Sequence, residues 1–386
     1  MFISNDIRYI GVNDHQVTLF EGQYDVPLGM AYNSYVILDE KIAVMDTVDA
    51  HFGKEWLANL TAALAGRTPD YLVVQHMEPD HSANIAAFMD AYPAVTVVAS
   101  QAAFRMMKQF YGSDYADRRL VVGEGDTLAL GRHTLTFLTA PMVHWPEVIV
   151  TYDCTDKVLF SADGLGKFGA LDVEDPEGWA CEARRYFFGI VGKFGAQVQA
   201  LLKKAAAVDI QTVCPLHGPV LTGKELAEAL RLYDIWSRYD VESEGVMIAY
   251  ASVYGNTEKA AQLLAEKLKE QGCPKVVLTC VQREDWAEAV EDAFRYGKLV
   301  LAAPTYNGFL FPAMREFIEH LTERNYQNRQ VAFIENGSWA VKSGDLMQEF
   351  LDGQLKRMTV LTERLSMASA LSADKAGEVE ALADAI

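Results

Sequence analysis

From residue 246 onward the chain alternates short apolar runs with amphipathic stretches, and that alternation leaves few folds open. Residues 246–250, 276–279, 298–302 and 330–334 are strand-like, rich in Val, Ile and Leu. Between them, 258–271, 286–296 and 312–322 read as helices, and a last helical pattern begins after Ser343. The first of these helices carries Ala260, Leu264 and Leu268 on one stripe and stops at Gly272. Strands that alternate with helices return in the same direction, so they build a parallel doubly wound sheet. In such a sheet, ligands bind beyond the carboxyl ends of the strands, which singles out the loops after 250, 302 and 334.

The residues before that point read differently. Strand-like runs at 35–38, 42–45, 71–75, 95–99, 134–138, 148–152, 158–161 and 210–214 are separated by loops and by helical patterns at 54–65, 82–91 and 189–207. This mixture suggests stacked sheets with helices outside. A polar stretch, 237–245 (SRYDVESEG), follows a helical pattern at 225–236 and reads as a linker. It divides the 386 residues into 1–242 and 243–386, each long enough for its own core. The net charge of −19 disfavours phosphate backbones and anionic lipid, so nucleic acid and membrane surfaces are poor partners. No apolar run approaches the roughly 18–20 residues of a membrane span. Asp6 and Arg8 interrupt the first residues where a signal peptide would be apolar, which points to the cytoplasm. The five cysteines are scattered with no C-x-x-C pair, so neither a disulfide framework nor a cysteine-held zinc or iron–sulfur site is expected.

The most chemically loaded segment is His76-Met-Glu78-Pro-Asp80-His81, directly after the 71–75 strand. Pro79 and the two carboxylates make it a loop. His144, Asp163 and His217 follow later strands in the same way. Alone, His144 or His217 is more often a satisfied structural histidine. Side chains at neighbouring strand ends can converge, however, and four imidazoles with three carboxylates exceed one tetrahedral ion but suffice for two ions with open positions. His15, His51, His133 and His320 lack such a setting and read as ordinary surface or core residues.

In the second part, Ser252-Val253-Tyr254-Gly255-Asn256-Thr257 leads into a helix and offers hydroxyls and backbone N–H groups at its N-terminus, a place that favours an anion. Neither G-x-x-x-x-G-K-[ST] nor G-x-G-x-x-G occurs here, so a monophosphate cofactor fits better than a triphosphate or a dinucleotide. The plain alternative is a helix N-capped by Thr257. Pro304-Thr305-Tyr306-Asn307-Gly308 and Glu335-Asn336-Gly337-Ser338-Trp339 close the same end of the sheet with hydroxyls and aromatic rings able to cover a flat ring system.

The first motif resembles the metallo-β-lactamase signature H-x-H-x-D-H, with Glu78 where hydrolases of that fold carry a histidine. H-x-E-x-D-H followed by single His, Asp and His residues is the pattern of the flavodiiron proteins, and the second part resembles flavodoxin across its length. The resemblance implies an N-terminal metallo-β-lactamase-like αββα sandwich followed by a C-terminal flavodoxin-like sheet. It implies that His76, Glu78 and His144 hold one iron, that Asp80, His81 and His217 hold the other, and that Asp163 bridges them. It also implies FMN, with its phosphate at Ser252, Tyr254, Gly255, Asn256 and Thr257 and its ring near Thr305, Tyr306, Asn307 and Trp339. A carboxylate in place of imidazole suits redox-active iron or manganese better than it selects zinc.

The implied reaction is reduction of dioxygen to water, of nitric oxide to nitrous oxide, or both. A diferrous pair supplies two electrons and reduced FMN two more, which matches the four that dioxygen needs. The resemblance leaves no residues for a fused rubredoxin, so the expected electron donor is a separate carrier: rubredoxin, or reduced deazaflavin as in archaeal-type relatives. A head-to-tail homodimer, or a dimer of dimers, is expected to bring one chain's irons against the other's flavin. Two rivals stand beside this reading: a dizinc hydrolase fused to a flavodoxin-like domain, and an FMN-only electron carrier or sensor. Tyr24, Met77 and Trp145 are either pocket walls or ordinary packing.

Overall fold

In a computed structural model describing Met1–Ile386, the first 234 residues enclose their core between two six-stranded sheets. One sheet runs in the order Ile7–Tyr9, Tyr35–Leu38, Ile42–Met45, Tyr71–Val74, Thr96–Ala99, Arg119–Val121. The other runs Thr127–Ala129, Thr134–Thr139, Ile149–Asp153, Val158–Phe160, Thr212–Cys214, Leu221–Thr222. Alternation along the strands turns Tyr35, Ile37, Ala43, Met45, Val73 and Val98 of the first sheet onto Leu135, Phe137, Ile149, Val158, Phe160 and Cys214 of the second, all buried. Each sheet mixes antiparallel hairpins with parallel pairs. Ile42–Met45, Tyr71–Val74 and Thr96–Ala99 run parallel in one, and Val158–Phe160 and Thr212–Cys214 in the other. The parallel strands end at shared edges, and the loops carrying the histidines leave from those ends.

The helical readings hold with local changes. Gly53–Leu64 forms as one helix and buries Trp56, Leu60 and Leu64. The 82–91 pattern splits into a single turn, Pro79–Ser82, and Ile85–Ala91, with Asn84 between them. The turn therefore begins inside the segment expected to be loop. Pro79 occupies its first position, where proline's fixed φ and missing N–H cost nothing. The 189–207 pattern resolves into a π turn at Phe187–Val191, a short 3-10 turn and a helix at Gly195–Ala205. Helices Gln101–Tyr111 and Trp179–Tyr186 were not anticipated.

Residues 235–386 form the second compact unit. Its five long strands are all parallel, in the order Val276–Cys280, Ser243–Tyr250, Tyr296–Tyr306, Gln330–Asn336, Thr359–Met367. Asn256–Glu270 and Ala376–Ala385 pack Ala260, Leu264, Leu268, Val379 and Leu382 against Ile248, Val300, Ala332 and Leu365 on one face. Trp286–Arg295, Pro312–Glu323 and Ser343–Gln354 cover the other. The order reverses between Ser243–Tyr250 and Tyr296–Tyr306, which opens a crevice at their carboxyl ends. The residues read as linker are partly structured: the preceding helix reaches Ser237 and the next strand starts at Ser243. The buried Arg329 guanidinium donates to Tyr239 O at 2.7 Å and Asp240 O at 3.1 Å, and Trp236 Nε1 donates to Glu242 at 2.6 Å. No helix is long and apolar enough to cross a membrane.

Candidate metal centre and cofactor loops

Each of the seven metal-type side chains is placed by a short, well-bonded loop. Asp46 accepts from Gln75 N at 2.7 Å and Gln75 Nε2 at 2.9 Å, fixing the exit of the Tyr71–Val74 strand toward His76. Burial raises Asp46 to about 6, with the Gln75 hydrogen bonds pulling it back. Thr47 N and Oγ1 both donate to His81 O. Asp163 sits on a tight turn, with Gly164 N donating to Ser161 O at 3.0 Å. Leu216 N donates to Ala162 O at 2.9 Å, which ties this turn to the His217 loop. Asn33 Nδ2 donates to both Pro215 O and Gly218 O and clasps that loop.

The side chains then converge in two groups. His76 Nε2 lies 3.3 Å from His144 Nε2, and Glu78 Oε2 lies 3.2 and 3.0 Å from the two nitrogens. His81 Nε2 lies 3.0 Å from His217 Nε2, with Asp80 Oδ2 at 3.3 and 3.2 Å from them. Asp163 faces both groups. Its Oδ2 is 3.0 Å from His144 Nε2 and 3.4 Å from His76 Nε2, and its Oδ1 is 3.4 Å from His81 Nε2 and 3.9 Å from His217 Nε2. An ion bonded to N and O at about 2.0–2.2 Å holds neighbouring ligands about 3.0–3.5 Å apart. The spacings are therefore those of ligands around common centres.

The hydrogen bonding supports a cation in each group. Both carboxylate oxygens of Asp163 and of Asp80 are buried without a hydrogen-bond partner, and lone pairs buried in that way are costly unless something positive faces them. His76 Nδ1 is 2.8 Å from Glu147 Oε1, and His217 Nδ1 is 2.8 Å from Ala31 O. Donation from Nδ1 leaves each Nε2 lone pair aimed inward, the tautomer a metal ligand needs. Without a metal, these groups compensate by holding protons. Burial works against a charged His144, but the facing Asp163 and Glu78 carboxylates outweigh it and push it up to about 9.

Three residues that sequence reasoning missed complete the site. Glu147, 2% exposed, orients His76 and also accepts from Met77 N at 2.8 Å. It follows His144 by three residues in a loop, and only the fold reveals its partner. Tyr186 is fully buried, its ring 5.6 Å from His217, and its hydroxyl has no hydrogen-bond partner. Glu21 is raised to about 7 by burial and by the neighbouring Glu78. It lines an open cleft with Asp14, Asp49, Glu78, Asp80 and His51, so His51 is a rim residue of the site. Trp145 stands edge-on to His76 at 5.3 Å, and Met77 is fully buried beside it. Tyr24 packs on Phe168, which in turn meets the Phe20 and Tyr186 rings, and it donates to Gly189 O.

In the second unit, Ser252, Val253, Tyr254, Asn256, Thr257, Pro304, Thr305, Tyr306, Asn336, Gly337 and Ser338 line one cavity at the carboxyl ends of the strands. Ser369, unforeseen, lines it too. Gly255, Asn307, Gly308 and Trp339 belong to the same loops without lining it. Gly255, at φ +83°, is the N-cap of the helix, which has no side-chain cap bond. Thr257 lies inside the helix and its hydroxyl faces Asn336 Nδ2 at 3.3 Å, so the plain Thr-capped alternative does not describe this end. The uncapped first-turn N–H groups suit a phosphate. Tyr254, which lines the cavity, and Trp339, which follows Ser338 on the neighbouring loop, are 91% and 77% exposed and offer flat apolar surfaces for a ring.

A β-lactamase-type sandwich holding paired imidazole–carboxylate groups, followed by a flavodoxin-type sheet with an anion-ready loop, defines a two-domain metalloflavoprotein architecture. Residues 30–218 match the family described as ODP family beta lactamase, and residues 247–372 match the flavodoxin domain. The rubredoxin-oxygen oxidoreductase of Megalodesulfovibrio gigas is 27% identical over 362 residues, covering 91% of this chain and 89% of its own. A nitric oxide reductase of Moorella thermoacetica is 28% identical over 357 residues, covering 90% and 88%. The crystal structure of the flavodiiron protein from Giardia intestinalis superposes with a TM-score of 0.93 at 25% identity, covering 99% of this chain and 95% of that one. The chain belongs to the flavodiiron proteins, and it is an oxidoreductase.

Proposed function

We propose that this chain reduces dioxygen to water, nitric oxide to nitrous oxide, or both, at two iron ions, with FMN held in the second domain. In this reading His76, Glu78 and His144 would hold one ion, Asp80, His81 and His217 would hold the other, and Asp163 would be shared by both. The observation that carries it is Asp163, which presents one unpartnered oxygen to each group. When bound, the irons polarise the gas and, with FMN, supply the electrons.

The chain's own residues do the rest. Glu147 and Ala31 O fix the tautomers of His76 and His217. Phe20, edge-on to His217 at 5.4 Å, and Trp145 keep bulk water off the imidazoles. The Tyr186 hydroxyl, without a protein partner, is free to donate a hydrogen bond into the site. Glu21, exposed at the rim of the cleft that also includes Glu78 and Asp80, is positioned to exchange protons with solvent there. Glu78 separates this reading from the dizinc hydrolase, because a second anionic oxygen donor favours a redox-active ion.

In this reading the Ser252–Thr257 loop would hold the FMN phosphate, and Thr305, Tyr306, Asn307 and Trp339 would lie near its ring. The reading also carries a separate electron donor, rubredoxin or another soluble carrier, a head-to-tail homodimer or dimer of dimers, and work in the cytoplasm. The test is anaerobic reduction of protein with counted iron and flavin, then separate additions of dioxygen and nitric oxide. Consumption of either gas supports the reading. Bound zinc, ester hydrolysis and no gas consumption would overturn it.

A further inference from the structure

On the far side of the turn that carries Asp163 lies a small cavity unlike the acidic cleft. Its volume is about 30 Å³, and Val143, Val150, Leu159, Leu165, Val198 and Leu202 form its apolar walls. Val143 precedes His144, and Ser161, Gly164 and Leu165 flank Asp163, so one layer of backbone separates the void from two of the metal-facing side chains. The two hydroxyls at its wall are engaged: Ser161 Oγ donates to Gly164 O at 2.6 Å, and the Tyr233 hydroxyl accepts from Leu165 N at 2.7 Å. Leu202, Ala205 and Leu230 are shared with an open apolar groove that also includes Val208 and Ile210, which places the outer end of the void at the surface.

A void needs only about 10–15 Å³ by this measure to hold one water-sized body, so this one has room for a diatomic molecule. Water would lose most of its hydrogen bonds inside, since the surface facing the void is apolar. A neutral diatomic has little hydrogen bonding to lose and gains dispersion contacts with the lining carbons. The other approach to Glu78 and Asp80 is lined by Asp14, Glu21 and Asp49, a setting that favours water and protons.

We propose that this apolar cavity takes up the gaseous substrate, dioxygen or nitric oxide, from the groove at Leu202, Ala205 and Leu230 and holds it one backbone layer from the metal pocket, which it enters when the wall at Val143 and Leu165 fluctuates open, leaving the acidic cleft to water and protons. The assignment rests on the gas-reducing function proposed above, and it adds a second, separate approach to that site.

Xenon-pressurised crystals of the holoprotein and stopped-flow reoxidation of the reduced holoprotein by dioxygen test it together. Xenon should occupy the space among Val143, Leu159, Leu165 and Val198. Ala205→Phe should exclude it and slow the second-order reoxidation roughly tenfold, within the span over which access changes association rates, with iron and flavin content unchanged. Leu202→Phe, at a half-buried position on the outer side, gives the same readout should Ala205→Phe fail to fold. Absence of xenon from the wild-type cavity would overturn the proposal, as would a variant that excludes xenon yet reoxidises at the wild-type rate. Failure of the reaction itself shows separately, as wild-type protein that consumes neither gas whatever xenon does; both proposals then fall.

Discussion

Replacing Glu147 with Gln isolates one half of the metal centre without touching a proposed ligand. Glu147 Oε1 takes hydrogen bonds from His76 Nδ1 and Met77 N, each at 2.8 Å, while its Oε2 is buried without a partner. A glutamine keeps one acceptor oxygen for those donors, loses the charge that makes His76 a stronger base, and leaves an amide NH₂ where there is no acceptor. Loss of such an outer carboxylate costs about 10–100-fold in metal affinity, or about 1.4–2.8 kcal/mol. The loss should fall on one ion only, because His217 is oriented by Ala31 O and not by Glu147. Competition of metal-free protein against a chelator, followed by cobalt absorption, resolves two binding steps. The expected result is one step weakened by that factor and one unchanged. Equal weakening of both, or of neither, would refute the division of ligands into two groups.

Asp163→Asn conserves volume and removes the anion both groups share; iron should fall from two per chain to one or fewer in elemental analysis, with flavin absorbance retained. Tyr186→Phe removes a buried hydroxyl that has no partner, so thermal stability should hold or rise slightly, while steady-state gas consumption falls on the order of 10²-fold if the hydroxyl supplies a hydrogen bond or proton. In metal-free protein the His144 pKa is raised from 6.5 to about 9, so its stabilising contribution is complete below pH 6.5 and is lost as pH climbs to about 9. The melting temperature of metal-free protein should fall across that window, and metal uptake near pH 7 should release protons measurable with an indicator dye. Gly255→Val forces a β-branched residue to φ +83°; it should cost roughly 1–2 kcal/mol and weaken FMN binding in a fluorescence titration, with iron content unchanged.

Much of this was legible in the sequence because it is local. The His76–His81 segment, the strand ends before His144, Asp163 and His217, and the helix-entry loop at Ser252–Thr257 all carry their chemistry within a few residues of an apolar run. Convergence in space, by contrast, is set by parallel pairing between Ile42–Met45, Tyr71–Val74 and Thr96–Ala99, which no single segment encodes. Glu147, Tyr186 and Glu21 escaped because each acts through a partner distant in sequence: His76, the His217 ring and Glu78. The linker was read as loose for a similar reason, since its polar letters are pinned by Arg329, some ninety residues away. The edge strand Thr359–Met367 was missed because Glu363 and Arg364 interrupt its apolar pattern and only Leu365 and Met367 are fully buried. The final helix, Ala376–Ala385, buries only Val379, Leu382 and Ala383, too short a stripe to stand out.

The most direct test is the product of dioxygen reduction by fully reduced, iron-loaded protein. Four stored electrons per chain, two on the iron pair and two on the flavin, should convert one dioxygen to two waters with no hydrogen peroxide detected by a peroxidase-coupled assay. A protein whose flavin alone reacts would instead yield one hydrogen peroxide per chain, and that result would contradict a redox-active metal pair held by these seven side chains.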